Sequence, residues 1–122
     1  MVVNGKERKF RLTVGAAAEI SDLCPEGDLN RLDEVLSGVS TAKALRTAAK
    51  VIVALNKAYE ESENPEAEKP DTLTVREVLA LDIAVFQELE DEAVLAFNVD
   101  KKTEVELEIP KKNEGADEAK NG

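Results

Sequence analysis

From Leu73 the sequence reads Leu-Thr-Val-Arg-Glu-Val-Leu and continues to Phe97 without a Gly or Pro. Thr74 and Glu77 have the spacing of a capping box, in which each side chain satisfies a backbone N–H that the first helical turn leaves without a partner. Leu73 and Val78 stand where a hydrophobic staple fixes the incoming chain. Val78, Leu79, Ile83, Phe86, Leu89, Ala93 and Phe97 supply apolar positions along the run. The run predicts a helix from Val75 to about Phe97. Such a helix must bury its apolar stripe against neighbouring elements.

A second long helix is predicted from Ser40 or Thr41 to about Tyr59. Leu45, Ala48, Ile52, Leu55 and Tyr59 alternate steps of three and four and trace one stripe, while Lys43, Lys50 and Lys57 recur every seven residues on the far side. Val51 and Val53 widen the apolar arc, which places this helix at the centre of a bundle or partly at an interface. Two shorter helices precede it. Thr13 caps one that runs to about Cys24, where Pro25 and Gly27 interrupt it. Asp28 caps the other, with Leu29, Leu32, Val35 and Leu36 on one face and Gly38 at the position of a C′ glycine.

The ends of the chain read differently. Val2-Val3, Asn4-Gly5 and Lys6 to Leu12 form the pattern of a β-hairpin, because Asn-Gly accepts the positive φ values of a two-residue turn. Phe10 and Leu12 fall on one face of its second strand. Near the other end, Val105, Leu107 and Ile109 alternate with Glu104, Glu106 and Glu108 as in an edge strand that Pro110 stops. Glu60 to Asp71 holds six acidic residues and two prolines and is expected to be a mobile loop. The expected architecture is therefore mainly α (α+β): a bundle of about four helices with an N-terminal hairpin and a C-terminal edge strand. Residues 1–110 make one domain and 111–122 a disordered tail.

Composition narrows the chemistry. The chain of 122 residues has no His and a single Cys, Cys24. Histidine-based nucleophilic and acid–base systems, intramolecular disulfides and multi-cysteine metal sites are thereby excluded. With three Phe, one Tyr and no Trp, the core must be Leu, Val, Ala and Ile. The net charge of −10 disfavours nucleic acid as the main partner. No stretch approaches the length of a membrane helix, and no signal-peptide pattern opens the chain, so a cytoplasmic protein is expected. Glu88, Glu90, Asp91 and Glu92 form the densest carboxylate cluster, but helical di-metal sites draw on several helices and on His, so a solvated acidic face explains them better. Gly15 lacks the companions of a nucleotide-binding motif and is read as a close-packing position. No catalytic, cofactor or metal site is expected, and the chain is read as a non-enzymatic protein-binding module.

The order hairpin, Phe10-Arg11-Leu12-Thr13-Val14-Gly15-Ala16-Ala17-Ala18-Glu19-Ile20, short helix at Asp28 to Ser37, long Ala/Leu-rich helix, acidic loop and Leu-Thr-x-x-Glu start at Leu73 to Glu77 resembles the tail assembly chaperones of long-tailed bacteriophages and prophages. The likeness covers roughly residues 2 to 97. Val14 stands where the family often has an aromatic residue. The resemblance implies a protein that binds the tape measure protein in the host cytoplasm, keeps it soluble, helps tail tube protein polymerise around it, and is absent from the mature virion. It also implies a longer product made by ribosomal frameshifting, for which the Lys112-Asn113 and Lys120-Asn121 codons are candidates. The client-binding face is expected at Val51, Val53, Ile83, Phe86 and Phe97. Self-association stays open. So do three other readings: an acidic inhibitor or nucleic-acid mimic that occupies a basic host protein, a structural tail component, and a small enzyme using only carboxylates and lysines.

Overall fold

The computed structural model describes residues 1–36 and 41–113, the segment 103–113 as backbone only. Among these residues lie one antiparallel hairpin and five α-helices, the mainly helical fold with an N-terminal hairpin that the sequence predicts. β1 (Val2–Val3) pairs with β2 (Lys6–Glu7), Val2 opposite Glu7 and Val3 opposite Lys6. Asn4 and Gly5 adopt φ of 53° and 85°, the positive values their turn requires. The helices are α1 (Val14–Ser21), α2 (Leu32–Leu36), α3 (Ala42–Glu63), α4 (Val75–Leu79) and α5 (Ile83–Asn113).

Threonines start three of them. Thr13, Thr41 and Thr74 accept hydrogen bonds from the N–H groups of Ala16, Ala44 and Glu77 at 3.2, 3.1 and 3.1 Å. Glu77 returns the favour to Thr74 N–H at 2.9 Å, which completes the capping box. Asp28 caps a 3₁₀ turn at Leu29–Arg31 that leads into α2.

α3 is the hub: α1, α2, α4 and α5 all pack on it. Its Ala48, Ile52 and Leu55 are fully buried, as the predicted stripe requires, and so are Ala49, Val51 and Ala54 beside them. The many alanines let neighbouring helices approach closely, since interaxial distance follows side-chain size at the contact. α5 lays Phe86, Leu89, Ala93 and Phe97 against this centre, and Leu73 and Val78 seal one end.

Several expectations are corrected. The predicted helix 75–97 is broken at Ala80–Asp82 into α4 and α5. Over the eight residues from Val78 to Phe86 an unbroken helix would turn the second side chain roughly 80° away from the first; the break lets both face α3. α1 ends at Ser21 rather than near Cys24, whereas α3 continues past Tyr59 to Glu63 and takes Glu60 out of the expected loop. The second strand stops at Glu7, because residues 9–12 bond to α3 and α5 instead of to β1. The predicted edge strand at 104–109 is helical. α5 runs through it, and through Pro110, to Asn113, crossing the expected domain boundary. Glu and Leu favour helix, and continuing a helix needs only local hydrogen bonds where an edge strand needs a partner strand. Ser40, Gly38 and the tail residues 114–122 lie outside the described residues.

Buried polar side chains lock the outer segments onto this frame. Asn56, on α3 and fully buried, donates to Lys9 O at 3.0 Å and accepts from Leu73 N–H at 2.8 Å. It thus fixes the segment after the hairpin and the segment before α4 to the same helix turn. Arg11 N–H reaches Leu55 O at 3.1 Å, and Leu12 N–H reaches the Asp100 carboxylate at 2.9 Å, tying the same segment to α3 and α5. Arg8, only 4% exposed, stands beside the equally buried Glu60 at 3.5 Å and donates to Asp71 O. Lys6 adds hydrogen bonds to Asp71 O and to its carboxylate, both at 3.2 Å.

Two predictions follow from these ties. Asn56→Ala orphans two buried backbone groups and should cost about 2–4 kcal/mol in a denaturant titration. The Lys6 hydrogen bond and then the Arg8 charge hold the Asp71 carboxyl below its ordinary range. A depressed folded value stabilises the native state above the unfolded pKa of about 3.9, and the stabilisation is lost as pH falls through the folded value. Asp71→Asn should therefore lower the urea midpoint at neutral pH, and the difference from the parent protein should shrink as the titration is repeated in acid.

Candidate functional site

The outer flank of α3 between α1 and α4 is concave. Glu19 and Leu23 form one wall, Val75 the other, and Lys50, Val53 and Ala54 the floor of a furrow of about 240 Å³. Toward the start of α3 lies a second depression of about 190 Å³, among Glu34, Val35, Thr41, Lys43, Ala44 and Thr47. Toward its end a narrow cleft contains Lys57, Ala58 and Gly15, and shares Glu19 and Ala54 with the furrow. Each section thus contains one of the three lysines predicted to recur along this flank. Lys57 is paired with Glu19 at 3.1 Å, and that hydrogen bond raises its pKa. Lys43 and Lys50 are exposed and, among the described residues, stand in no ion pair.

The residues expected to form the client face are divided. Val53 lies in the furrow and Ile83 is 59% exposed at the start of α5. Val51, Phe86 and Phe97 are in the core and present no surface in this conformation, which corrects that part of the expectation. The wide apolar arc of α3 reflects its central position, and the α5 phenylalanines face α3. The large apolar side chains that do reach solvent include Leu79 on α4, and Leu95 and Val99 on α5. Leu95 and Val99 were missed, although their spacing of four, beside the stripe of Leu89, Ala93 and Phe97, places them on an adjacent helical face.

Cys24 is buried, its Sγ lies 3.3 Å from Ile20 O, and burial raises its pKa, the reverse of what an activated thiol needs. Glu92 pairs with the Met1 amino group at 3.1 Å, and Glu7 binds the same ammonium. Burial, and then the charge of Asp91, raise the pKa of Glu90. Among the described residues no group of three or more His, Cys, Asp or Glu side chains is disposed to hold a metal ion. No helix among them is long and apolar enough to cross a membrane.

No family model, curated protein or solved structure matches the chain. The furrow combines an apolar floor with unpaired cations. That suits it to non-covalent contact with a polypeptide, which offers both kinds of group on one face.

Gly15 departs from its predicted packing role. It is exposed, and a Cβ there would meet only Thr13 Oγ1, at an ordinary 3.9 Å. Its φ lies outside the positive region, so nothing in the backbone demands glycine. Gly15→Ala should raise stability by about 0.5–1 kcal/mol, read as a higher denaturation midpoint with an unchanged circular dichroism spectrum.

Proposed function

We propose that this protein is a phage or prophage tail assembly chaperone. In this reading it binds the tape measure protein in the host cytoplasm, keeps it soluble, promotes tail tube assembly around it, and leaves before the virion is complete. The observation that carries the reading is the pairing of an apolar furrow at Leu23, Val53 and Val75 with a chain of net charge −10. A long helical client exposes apolar surface before assembly. A partner that covers it must offer apolar contact and yet keep the complex in solution, and strong net charge does the second. The exposed Leu79 and Ile83, at the α4–α5 break, extend the apolar surface available for such contact. The helical frame and hairpin also agree with the sequence resemblance over residues 2 to 97.

The decisive experiment is co-expression with the tape measure protein encoded nearest to this gene. A several-fold rise in the soluble yield of that protein, and its co-purification with this chain, are expected. Unchanged yield with no co-purification would remove the proposal. An acidic inhibitor or nucleic-acid mimic would instead be captured by a basic host protein and would lose that capture when the 64–71 loop is shortened.

A further inference from the structure

We infer that the furrow along α3 is a docking channel for an amphipathic helix whose carboxylates recur every seven residues. The inference rests on the protein-binding reading above and adds to it the chemistry of the segment that is bound.

Charge segregation is the first argument. Residues 42–59 of α3 include Lys43, Arg46, Lys50 and Lys57 and not one Asp or Glu, in a chain with 26 acidic residues against 16 basic ones. Of the carboxylates that line the three sections, Glu19 is held by Lys57 and Glu34 by Arg31 at 2.8 Å, and Glu61 lies at the far end beside Lys57, away from Lys43 and Lys50. Lys43, Arg46 and Lys50 are exposed. The overall negative charge repels an acidic ligand at a distance. Beyond about 8 Å, however, charges are largely screened at physiological ionic strength, so the local cations decide once contact is made.

Spacing is the second argument. Seven residues advance a helix by about 10.5 Å and return it nearly to the same face. A helix laid along α3, in either direction, repeats its own side chains at that interval. Carboxylates at every seventh position would meet Lys43 and Lys50 together, residues between them would fall over Val35, Ala44 and Thr47, and apolar residues beyond the second would fall over Val53, Leu23 and Val75. Helix-in-groove recognition has this form, with apolar anchors on one face and charges fixing the register.

The same features argue against nucleic acid. Single strands bind through aromatic platforms, and here Phe86 and Phe97 are buried, Phe10 is partly buried against the core, and Tyr59 sits beneath Arg11, 5.3 Å from the guanidinium to the ring centre.

The test uses the full chain and a labelled synthetic helix of about twenty residues, long enough to span the channel, with leucines along one face and glutamates at every seventh position. Fluorescence anisotropy should show saturable binding, weakened about tenfold or more when the peptide carries lysines instead. The double variant Lys43→Glu/Lys50→Glu should weaken binding of the glutamate peptide by a similar factor with its circular dichroism spectrum unchanged. Lys102→Glu, on α5, should have no effect. Four results would overturn the inference: no saturable binding of the glutamate peptide, equal binding of both peptides, indifference to the double variant, or tighter binding of a single-stranded oligonucleotide through the same lysines. If the peptide fails while the co-expression experiment succeeds, the furrow assignment falls and the chaperone reading stands on Leu79, Ile83 and Leu95.

Discussion

Asn56 lies on the most buried helix of the fold and commits its carboxamide to two backbone groups that arrive from opposite directions, Lys9 O and Leu73 N–H. Neither group has a β-ladder partner to turn to, and a buried backbone polar group left unpaired is costly. One side chain therefore joins the chain after the hairpin to the start of the α4 region. Once these are placed, Arg8 and Lys6 come within reach of Glu60 and Asp71, and Leu73 and Val78 drop into the core. A helical bundle joined by irregular segments needs such a device, because hydrophobic burial alone does not specify where extended backbone should lie.

The Arg8 cluster works alongside this arrangement at a different cost. Taking a guanidinium and a carboxylate out of water carries a penalty that their mutual attraction offsets only with good geometry and further hydrogen bonds. Arg8 has these on its terminal nitrogens, through Asp71 and Glu60, while its Nε is without a hydrogen-bond partner among the described residues. The pairing ties the acidic 64–73 segment to the hairpin. An acid-rich stretch that composition alone marks as loose is held at one end by two cations from the far end of the chain.

The helices that sequence makes plain are those with a local signature. The Thr74–Glu77 capping box, the Thr13 and Asp28 caps and the Leu45–Tyr59 stripe all involve residues within a few turns of one another, and each reappears in the structure. The failures are tertiary. Nothing in the run from Val75 to Phe97 announces the break at Ala80–Asp82, which arises from the need to face both Val78 and Phe86 toward α3. The alternation of Val105, Leu107 and Ile109 is a true period of two, yet the backbone there continues the helix already under way. Buried Arg8, Asn56 and Glu60 carry no pattern at all, since polar residues are ordinarily read as surface. The furrow was half legible. The lysine repeat was visible as a line on one helix, but its walls come from Leu23 and Val75, distant in sequence. At Val51, Phe86 and Phe97 apolarity marks the core and not the surface, a distinction that patterning along one helix does not carry.

The two walls of the furrow, α1 and α4, each rest on α3, and neither packs extensively on the other. Channel width is consequently governed mainly by the contact each wall makes with α3. α4 is only five residues long and sits between an eleven-residue connection, anchored at Leu73 by Asn56, and a helix break. A cleft so built would accommodate side chains of different girth in the repetitive ligand we propose for it, trading tight selectivity for tolerance.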